Sequence, residues 1–526
     1  MSSFNLADLF ESLSDAFPDR RALVVGDEVI TFGELDRRAN QLAQYWMASG
    51  VGAGDHIGLC LFNSVAYLQA MLAAWKIRAR TINVNYRYRA KELRYLFDNA
   101  DMVGVLYEPS LAGDVEAALL DTMKHNLQPG VDFETAIADF PDTRDGFPER
   151  SEDDLFIIYT GGTTGMPRGV MWRHRDLFFA ALQGGNPGGV PFETPEEMVR
   201  QLTINGDGIH VLGAPPLIHG SSQLSSWIAM LNGGVAGLVP GRSFDAEAIL
   251  DLCTRAHMHT LNIVGDAMAL PIIDSLERDD GRWDLSELLV IASAGAVLSG
   301  SVREKLEALL PNAMCLNNFG ASETGHQGAA FYEDGKPIWI MDESHTVVLD
   351  DDHNLVEAGS ETVGWLARYG HIPLGYYGDE AKTKRTFIVK DGRRYVIPGD
   401  RAKVAPDGTV EFLGRHSVCI NSGGEKVYAE EVEEALKAHP QVFDAIVVGV
   451  PDPRWTNRVE AVVTLRVDAE AADLDGIREH CRDHVAGYKV PKAVWVTDDL
   501  HRQPSGKPNY RWAKAYAIEC NDGASG

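Results

Sequence analysis

The sequence predicts an α/β protein: a large N-terminal domain of stacked α/β subdomains with a β-rich portion, then a small mobile α+β C-terminal domain. Three observations carry this expectation. Apolar strand-like runs alternate with helical patterns of about 10–15 residues through the first part of the chain. From about position 345 the texture changes to short strands between turn signals. After Gly414-Arg415 it changes again, to a strongly amphipathic helix followed by further strands. At 526 residues the chain exceeds one hydrophobic core, which rarely grows beyond ~250–300 residues. The boundary is placed between residues 1–414 and 415–526.

Taken in order, residues 6–17 and 33–50 carry helical apolar spacing, as in Leu35, Leu42 and Trp46. Between them Ala22–Thr31 reads as a hairpin turning at Gly26-Asp27. Asp55–Phe62 is a strand, Val65–Ile77 a helix, Thr81–Asn85 a strand, Ala90–Asn99 a helix and Met102–Tyr107 a strand. Leu155–Ile158 forms another buried strand, and a helix is expected around Asp176–Leu182. Gly184–Pro195 is too rich in glycine and proline for regular structure and reads as a loop. Alternation resumes through His210, Ala236, His259 and Leu288. The last part contributes a helix at 429–437, strands beginning at Phe443 and Val459, and a helix at about 473–485.

Composition narrows the function. The net charge of −28, from 48 Lys plus Arg against 76 Asp plus Glu, excludes the basic face that a nucleic acid or an anionic membrane requires. Any anionic substrate must therefore be held by local donors. The six cysteines are scattered without a Cys-x-x-Cys pair, so neither a disulfide framework nor a zinc cluster is expected. The N-terminus lacks a basic segment before an apolar run, and no uninterrupted apolar run reaches ~18 residues. These features predict a cytoplasmic protein without a membrane segment.

The stretch Tyr159–Val170 holds four glycines, three threonines, a proline and Arg168. Glycine permits tight turns and close ligand approach, and successive main-chain N–H groups form an anion-binding concavity. Threonine hydroxyls add donors and Arg168 a forked cation. A polyphosphate is the natural guest, although a P-loop and a Gly-x-Gly-x-x-Gly fingerprint are both absent here. Five further stretches follow in order: Pro215–Gly220, Ser293–Leu298, Asn317–Gly325, Pro398–Asp400 with Gly414-Arg415, and Pro504–Lys507.

Together these six stretches, spread over about 350 residues, resemble the adenylate-forming superfamily of acyl-CoA synthetases, peptide-synthetase adenylation domains and luciferases. The similarity is closest to actinobacterial acyl-CoA synthetases for fatty acids or sterol side chains, on Asn83–Tyr88, Glu92–Asn99, Gly169–His174, Gly265–Ala269 and Ile420–Tyr428. The resemblance implies ATP-dependent activation of a hydrophobic carboxylic acid as an acyl-adenylate, then transfer to coenzyme A. An amine or a carrier-protein thiol is the alternative acceptor, and a scaffold protein with a spent site is the alternative from another class.

The resemblance also assigns roles. Thr160, Gly161, Gly162, Thr163, Thr164, Gly165 and Arg168 would cradle the β- and γ-phosphates, with Thr164 and Glu323 near Mg²⁺. Gly295, Ala296, Asn317, Asn318 and Phe319 match adenine-site positions, Ser322 belongs to the same ATP-binding set, and Asp400 and Arg415 match ribose and phosphate contacts. Lys507 matches the catalytic lysine bridging the carboxylate and the α-phosphate, with Glu323 and Arg415 beside it in the catalytic set. His219, Gly220, Asp266, Ala294 and Gly295 would wall the acyl pocket, and Gly423, Gly424 and Lys426 would meet coenzyme A. Taken singly, Phe319 reads as a core aromatic, Glu323 as a first-turn helix acid, His219 as a buried histidine and Lys507 as a solvated one. Three departures stand out: Arg168 where lysine is usual, Pro398 in place of threonine, and Ser417 at the expected hinge.

Overall fold

The structure is a computed structural model that describes residues 3–160, 167–279, 281–296, 298–333, 336–342, 344–415, 419–422, 425–452, 456–466, 473–503 and 506–524. Of the site residues expected from the sequence, Gly161, Gly162, Thr163, Thr164, Gly165, Gly423 and Gly424 lie outside the described residues, as do the hinge residue Ser417 and the side chains of Arg415 and Lys426.

Among the described residues the largest sheet has nine strands, in the order Lys336–Met341, Gly325–Glu333, Met314–Ala321, Val290–Ala294, Thr260–Ile263, Val211–Gly213, Ala236–Leu238, Arg21–Val25 and Glu28–Thr31. The six from Met314–Ala321 to Arg21–Val25 run parallel, and antiparallel strands close both edges. The strand–helix alternation accounts for this, because parallel neighbours require a crossover, usually a helix. A second parallel sheet takes the order Arg80–Asn83, His56–Cys60, Met102–Tyr107, His125–Leu127.

The helices Phe32–Ala48, Val65–Lys76 and Gly220–Leu231 each bury a tryptophan, Trp46, Trp75 and Trp227. The Trp75 and Trp227 rings meet with centroids 4.5 Å apart. The expected hairpin forms as Arg21–Val25 and Glu28–Thr31, with Gly26 at φ +54° in its turn. The loop expected over Gly184–Pro195 stops one residue earlier. Thr194 accepts a hydrogen bond from the Glu197 N–H and caps the helix Pro195–Asn205, where proline at the first position loses no helical bond.

The glycine-rich stretch joins two antiparallel strands, Leu155–Thr160 and Arg168–Arg173, with Gly375–Tyr376 on the outer side. An antiparallel sheet of six strands covers 346–415. The C-terminal sheet uses Cys419–Ser422, Glu425–Tyr428, Val442–Asp452, Thr456–Leu465 and Ala493–Val496, packed by the helices Ala429–Lys437, Leu474–His484 and Tyr510–Ala524. Strands ending at Arg415 and beginning at Cys419 thus belong to different sheets.

Candidate active site

A cavity of about 2180 Å³ opens at the carboxyl ends of the parallel strands, where the C-terminal sheet and its helices face the nine-stranded sheet. Ligands of open α/β sheets characteristically bind at this end. Strand alternation decides its floor: Thr260, Asn262 and Val264 and, on the next strand, Val290, Ala292 and Ala294 face the cavity. Leu261, Ile263 and Ile291 point the other way into the core. The roof is the helix Gly220–Leu231, which turns Gly220, Ser221, Leu224, Ser225 and Ile228 to the cavity and buries Trp227 and Met230 behind. The floor extends from Thr260 to Val264, about 13 Å at ~3.3 Å per residue.

At the head of this channel the chain turns through Ala294–Ala296, with Gly295 at φ +89°, a left-handed conformation that favours glycine. Ser293 holds the turn: its Oγ donates to the Ala296 carbonyl at 2.7 Å and accepts from the Gly265 N–H at 2.9 Å. Asn317 was expected to contact a base. It lines the cavity, and within the protein its Oδ1 accepts from the Leu298 N–H at 2.8 Å while its Nδ2 donates to the Leu298 carbonyl at 3.1 Å and to Tyr332 Oη at 2.7 Å. This buried amide shapes the turn. Asn318 and Phe319 line the cavity beside it, and Phe319 is backed by Phe412 and Trp339 at centroid distances of 4.7 and 5.8 Å. Asp400 is buried at the cavity wall, following Gly399 at φ +111°.

The side of the cavity nearer Thr160 is assembled from distant segments. Glu323 sits in the turn between the strands Met314–Ala321 and Gly325–Glu333, not in a helix, and the Ala321 N–H donates to Thr324 Oγ1 there at 2.9 Å. The Ser322 carbonyl accepts from Trp172 Nε1 at 2.9 Å, so the strand after the glycine-rich stretch holds this turn in place. Tyr376 Oη donates to Glu323 Oε1 at 2.7 Å. Burial first, then the Glu323 carboxylate, raises the Tyr376 phenol above its ordinary pKa and keeps it a donor. Thr160 pairs with Arg168 across the strand ends, and Arg168 Nε donates to Asp379 Oδ2 at 2.9 Å. Asp379 also caps the following helix through the Lys382 N–H.

Lys507 reaches the same head from the C-terminal segment. A Cβ placed on Gly295 would lie 3.5 Å from Lys507 Cε. His219, first in the roof, has its Nε2 buried without a hydrogen-bond partner among the described residues. Burial, then the Arg87 and Lys507 charges, pushes its imidazole down to about 4, so it is a neutral wall at pH 7. Asp266, expected in the acyl wall, lines the cavity with its carboxylate already hydrogen-bonded. Its Oδ1 accepts from the Ser299 N–H at 2.8 Å and its Oδ2 from Lys437 Nζ at 3.2 Å.

The structure therefore gathers Thr160, His219, Gly220, Asp266, Ala294, Gly295, Ala296, Asn317, Asn318, Phe319, Ser322, Glu323, Asp400 and Lys507 around one cavity, with Asn317 and Asp266 also hydrogen-bonded into its frame, and sets Arg168 beside it on the strand opposite Thr160, against Asp379. Ser293, Tyr376 and Asp379 were missed. Ser293 stood in a quoted motif, whereas Tyr376 and Asp379 carry no local signal. Among the described residues no group of three or more His, Cys, Asp or Glu is arranged to hold a metal ion, and no helix is long and apolar enough to cross a membrane.

Residues 10–377 match the family model described as AMP-binding enzyme, and residues 431–507 match the AMP-binding enzyme C-terminal domain. The chain belongs to the AMP-binding enzyme family. This AMP-binding enzyme is 44% identical over 540 residues to a 3-oxocholest-4-en-26-oate–CoA ligase of Rhodococcus rhodochrous, covering 97% of the chain and 96% of that protein. It is 44% identical over 538 residues to a medium/long-chain-fatty-acid–CoA/3-oxocholest-4-en-26-oate–CoA ligase of Mycobacterium tuberculosis, with the same coverage. The fold is shared with the anthranilate–CoA ligase AuaEII in complex with anthranoyl-AMP, at a TM-score of 0.84, 21% identity, and coverage of 98% of this chain and 99% of that one.

Proposed function

We propose that the protein is an ATP-dependent ligase that activates a long-chain or polycyclic carboxylic acid, with sterol-side-chain acids favoured, and passes the acyl group to coenzyme A. The observation that carries this reading is Lys507 set against Gly295 at the head of a channel of mixed, mainly apolar lining, with Glu323 on the same cavity. The CoA ligases that share 44% identity support both the acid class and the acceptor.

In the first half-reaction an oxygen of the substrate carboxylate attacks the α-phosphorus of ATP, and the bond from that phosphorus to the bridging oxygen of the β-phosphate breaks. Such transfers depend mainly on positioning and charge neutralisation. The channel holds the apolar part of the acid between Leu224, Ile228 and the sheet face, with its carboxylate at Gly295. Lys507 bridges the carboxylate and the α-phosphate. At ~4 Å and an effective dielectric near 20, one such contact is about 4 kcal/mol. His219, held neutral, leaves that charge to Lys507. Thr160, the loop after it and Arg168 receive the departing pyrophosphate, and Asp379 fixes the plane of the Arg168 guanidinium.

The donor set near the phosphates fits Mg²⁺, which prefers one or two carboxylates with phosphate and water oxygens over an all-protein cage. Glu323 would hold it, with Thr164 from the loop. The ion supplies neutralisation of phosphate charge. In the second half-reaction the thiol of coenzyme A attacks the acyl carbonyl and AMP leaves. Gly423, Gly424 and Lys426 are proposed for the path of coenzyme A, Asp400 and Arg415 for the ribose. Rotation of residues 415–526 about Ser417 and a cytoplasmic location belong to the same proposal.

The test is acid-dependent ATP–pyrophosphate exchange across a panel of acids graded in length and rigidity, with free coenzyme A then offered to the adenylate. Acyl-CoA and AMP should form together from long or polycyclic acids. No exchange with any acid would end the reading, and an adenylate consumed only by amines or a carrier protein would replace the acceptor.

A further inference from the structure

Asp266 and Lys437 are the feature of the site that the chemistry above leaves unused. Asp266 lies in the first turn of the helix Gly265–Arg278, and Lys437 ends the helix Ala429–Lys437 on the C-terminal side of the cavity. Their side chains are 4% and 10% exposed and meet at 3.2 Å. Removing two charges from water is costly unless they pair closely and their other hydrogen-bonding positions are used. The carboxylate meets this condition: Asp266 Oδ1 accepts the Ser299 N–H, just after the turn that contains Gly295.

The network continues toward Lys507. Glu433 and Asp444 act on Lys437 from its own side of the cavity, and Arg502 opposes them. Arg502 donates to both oxygens of Asp444, at 2.6 and 2.7 Å, and to the Gly506 carbonyl at 3.0 Å. The Gln503 N–H donates to the Lys507 carbonyl at 2.9 Å, closing the turn that presents the lysine. Gly506 itself, at φ +79°, rests on Val264, where an added Cβ would lie 3.0 Å from Val264 Cγ1. Val264 and Asp266, two residues apart, thus receive Gly506 and Lys437.

We propose that the Asp266–Lys437 pair is the dock that registers the Lys507 turn against the Gly295 turn, making Lys437 a positioning residue for adenylation. This rests on the acyl-CoA ligase reading. Adenylation needs Lys507 at Gly295, so the pair has to be closed in that step. Thioester formation from a finished adenylate does not use Lys507 in this way, so the pair is free to open. The pair therefore acts on one half-reaction, which a residue supporting only the fold would not do.

The experiment compares the full chain with Lys437→Met, Lys437→Arg and Asp266→Asn in three measurements. Lys437→Met should lower acid-dependent ATP–pyrophosphate exchange roughly ten- to a hundredfold, the scale of a small misplacement of a reacting group. Capture of a supplied acyl-adenylate by coenzyme A should stay within about twofold, and Lys437→Arg should recover most of the lost exchange because it keeps the charge. Amide deuteration, which needs no substrate, should quicken at residues 264–270, 293–299 and 429–438 in Lys437→Met and in Asp266→Asn. Equal loss of both half-reactions, or deuteration unchanged in both variants, overturns the proposal. A wild type without exchange for any acid ends the ligase reading instead, and deuteration then decides the dock alone.

Discussion

Replacing Tyr376 by phenylalanine removes one oxygen and tests whether Glu323 is a working carboxylate. The phenol donates to Glu323 Oε1 at 2.7 Å from a buried position, and its raised pKa keeps the proton on the oxygen across the working pH range. A hydrogen bond to a charged group contributes ~1.5–3 kcal/mol. At about 1.4 kcal/mol per tenfold, its loss from the transition state slows adenylation by roughly 10- to 150-fold. The fold should survive the loss, because phenylalanine keeps the ring packed on Phe387, 6.0 Å between centroids, and the backbone pairing with Val170. The assay is acid-dependent ATP–pyrophosphate exchange over a Mg²⁺ titration, with thermal unfolding in parallel. The expected result is a slower rate, a higher Mg²⁺ requirement and a melting temperature lowered by a few degrees with the unfolding transition still cooperative. A wild-type rate and Mg²⁺ dependence would refute the role of Glu323, and so would a matching loss in coenzyme A capture of a supplied adenylate.

Lys507→Ala should cut adenylation by about 10²–10³ through loss of one close charge contact, while thioester formation from supplied adenylate largely survives; equal loss of both would be incompatible with the assigned bridge. Ala292→Phe narrows the channel between the sheet and Leu224. Exchange with polycyclic acids should collapse and that with short-chain acids persist, and an unchanged acid profile would move the acyl site elsewhere. Glu433 is fully buried chemistry of another kind. Its Oε1 accepts the Val447 N–H at 2.9 Å, and burial pushes its carboxyl up from 4.5 to about 7. The folded state thus keeps a proton that the unfolded state releases, so stability falls as pH rises from 4.5 through about 7 and stays lowered above. At ~1.4 kcal/mol per unit the cost is on the order of 3 kcal/mol. Glu433→Gln should therefore gain stability relative to the parent between pH 5 and 8 in urea unfolding, and parallel pH curves for the two proteins would contradict this.

The sequence by itself determined the α/β class, the strand–helix alternation and the cluster of motifs, because each is written in neighbouring residues. A strand covered on both faces declares itself through a short apolar run, a helix through its apolar stripe, and a phosphate cradle through glycines and hydroxyls in one short run. The start of the helix Pro195–Asn205 was also locally written, in Thr194-Pro195, but the glycine and proline before it masked the signal. The tertiary structure alone decided where side chains spend their hydrogen bonds. Asn317 and Asp266 line the cavity as expected, and Leu298, Tyr332, Ser299 and Lys437 also hold their side chains. Tyr376 meets Glu323 across 53 residues, Arg168 meets Asp379 across 211, and Lys437 meets Asp266 across 171. No periodicity records such pairs, since partners at those separations are fixed by how whole elements pack and not by the spacing of residues along the chain.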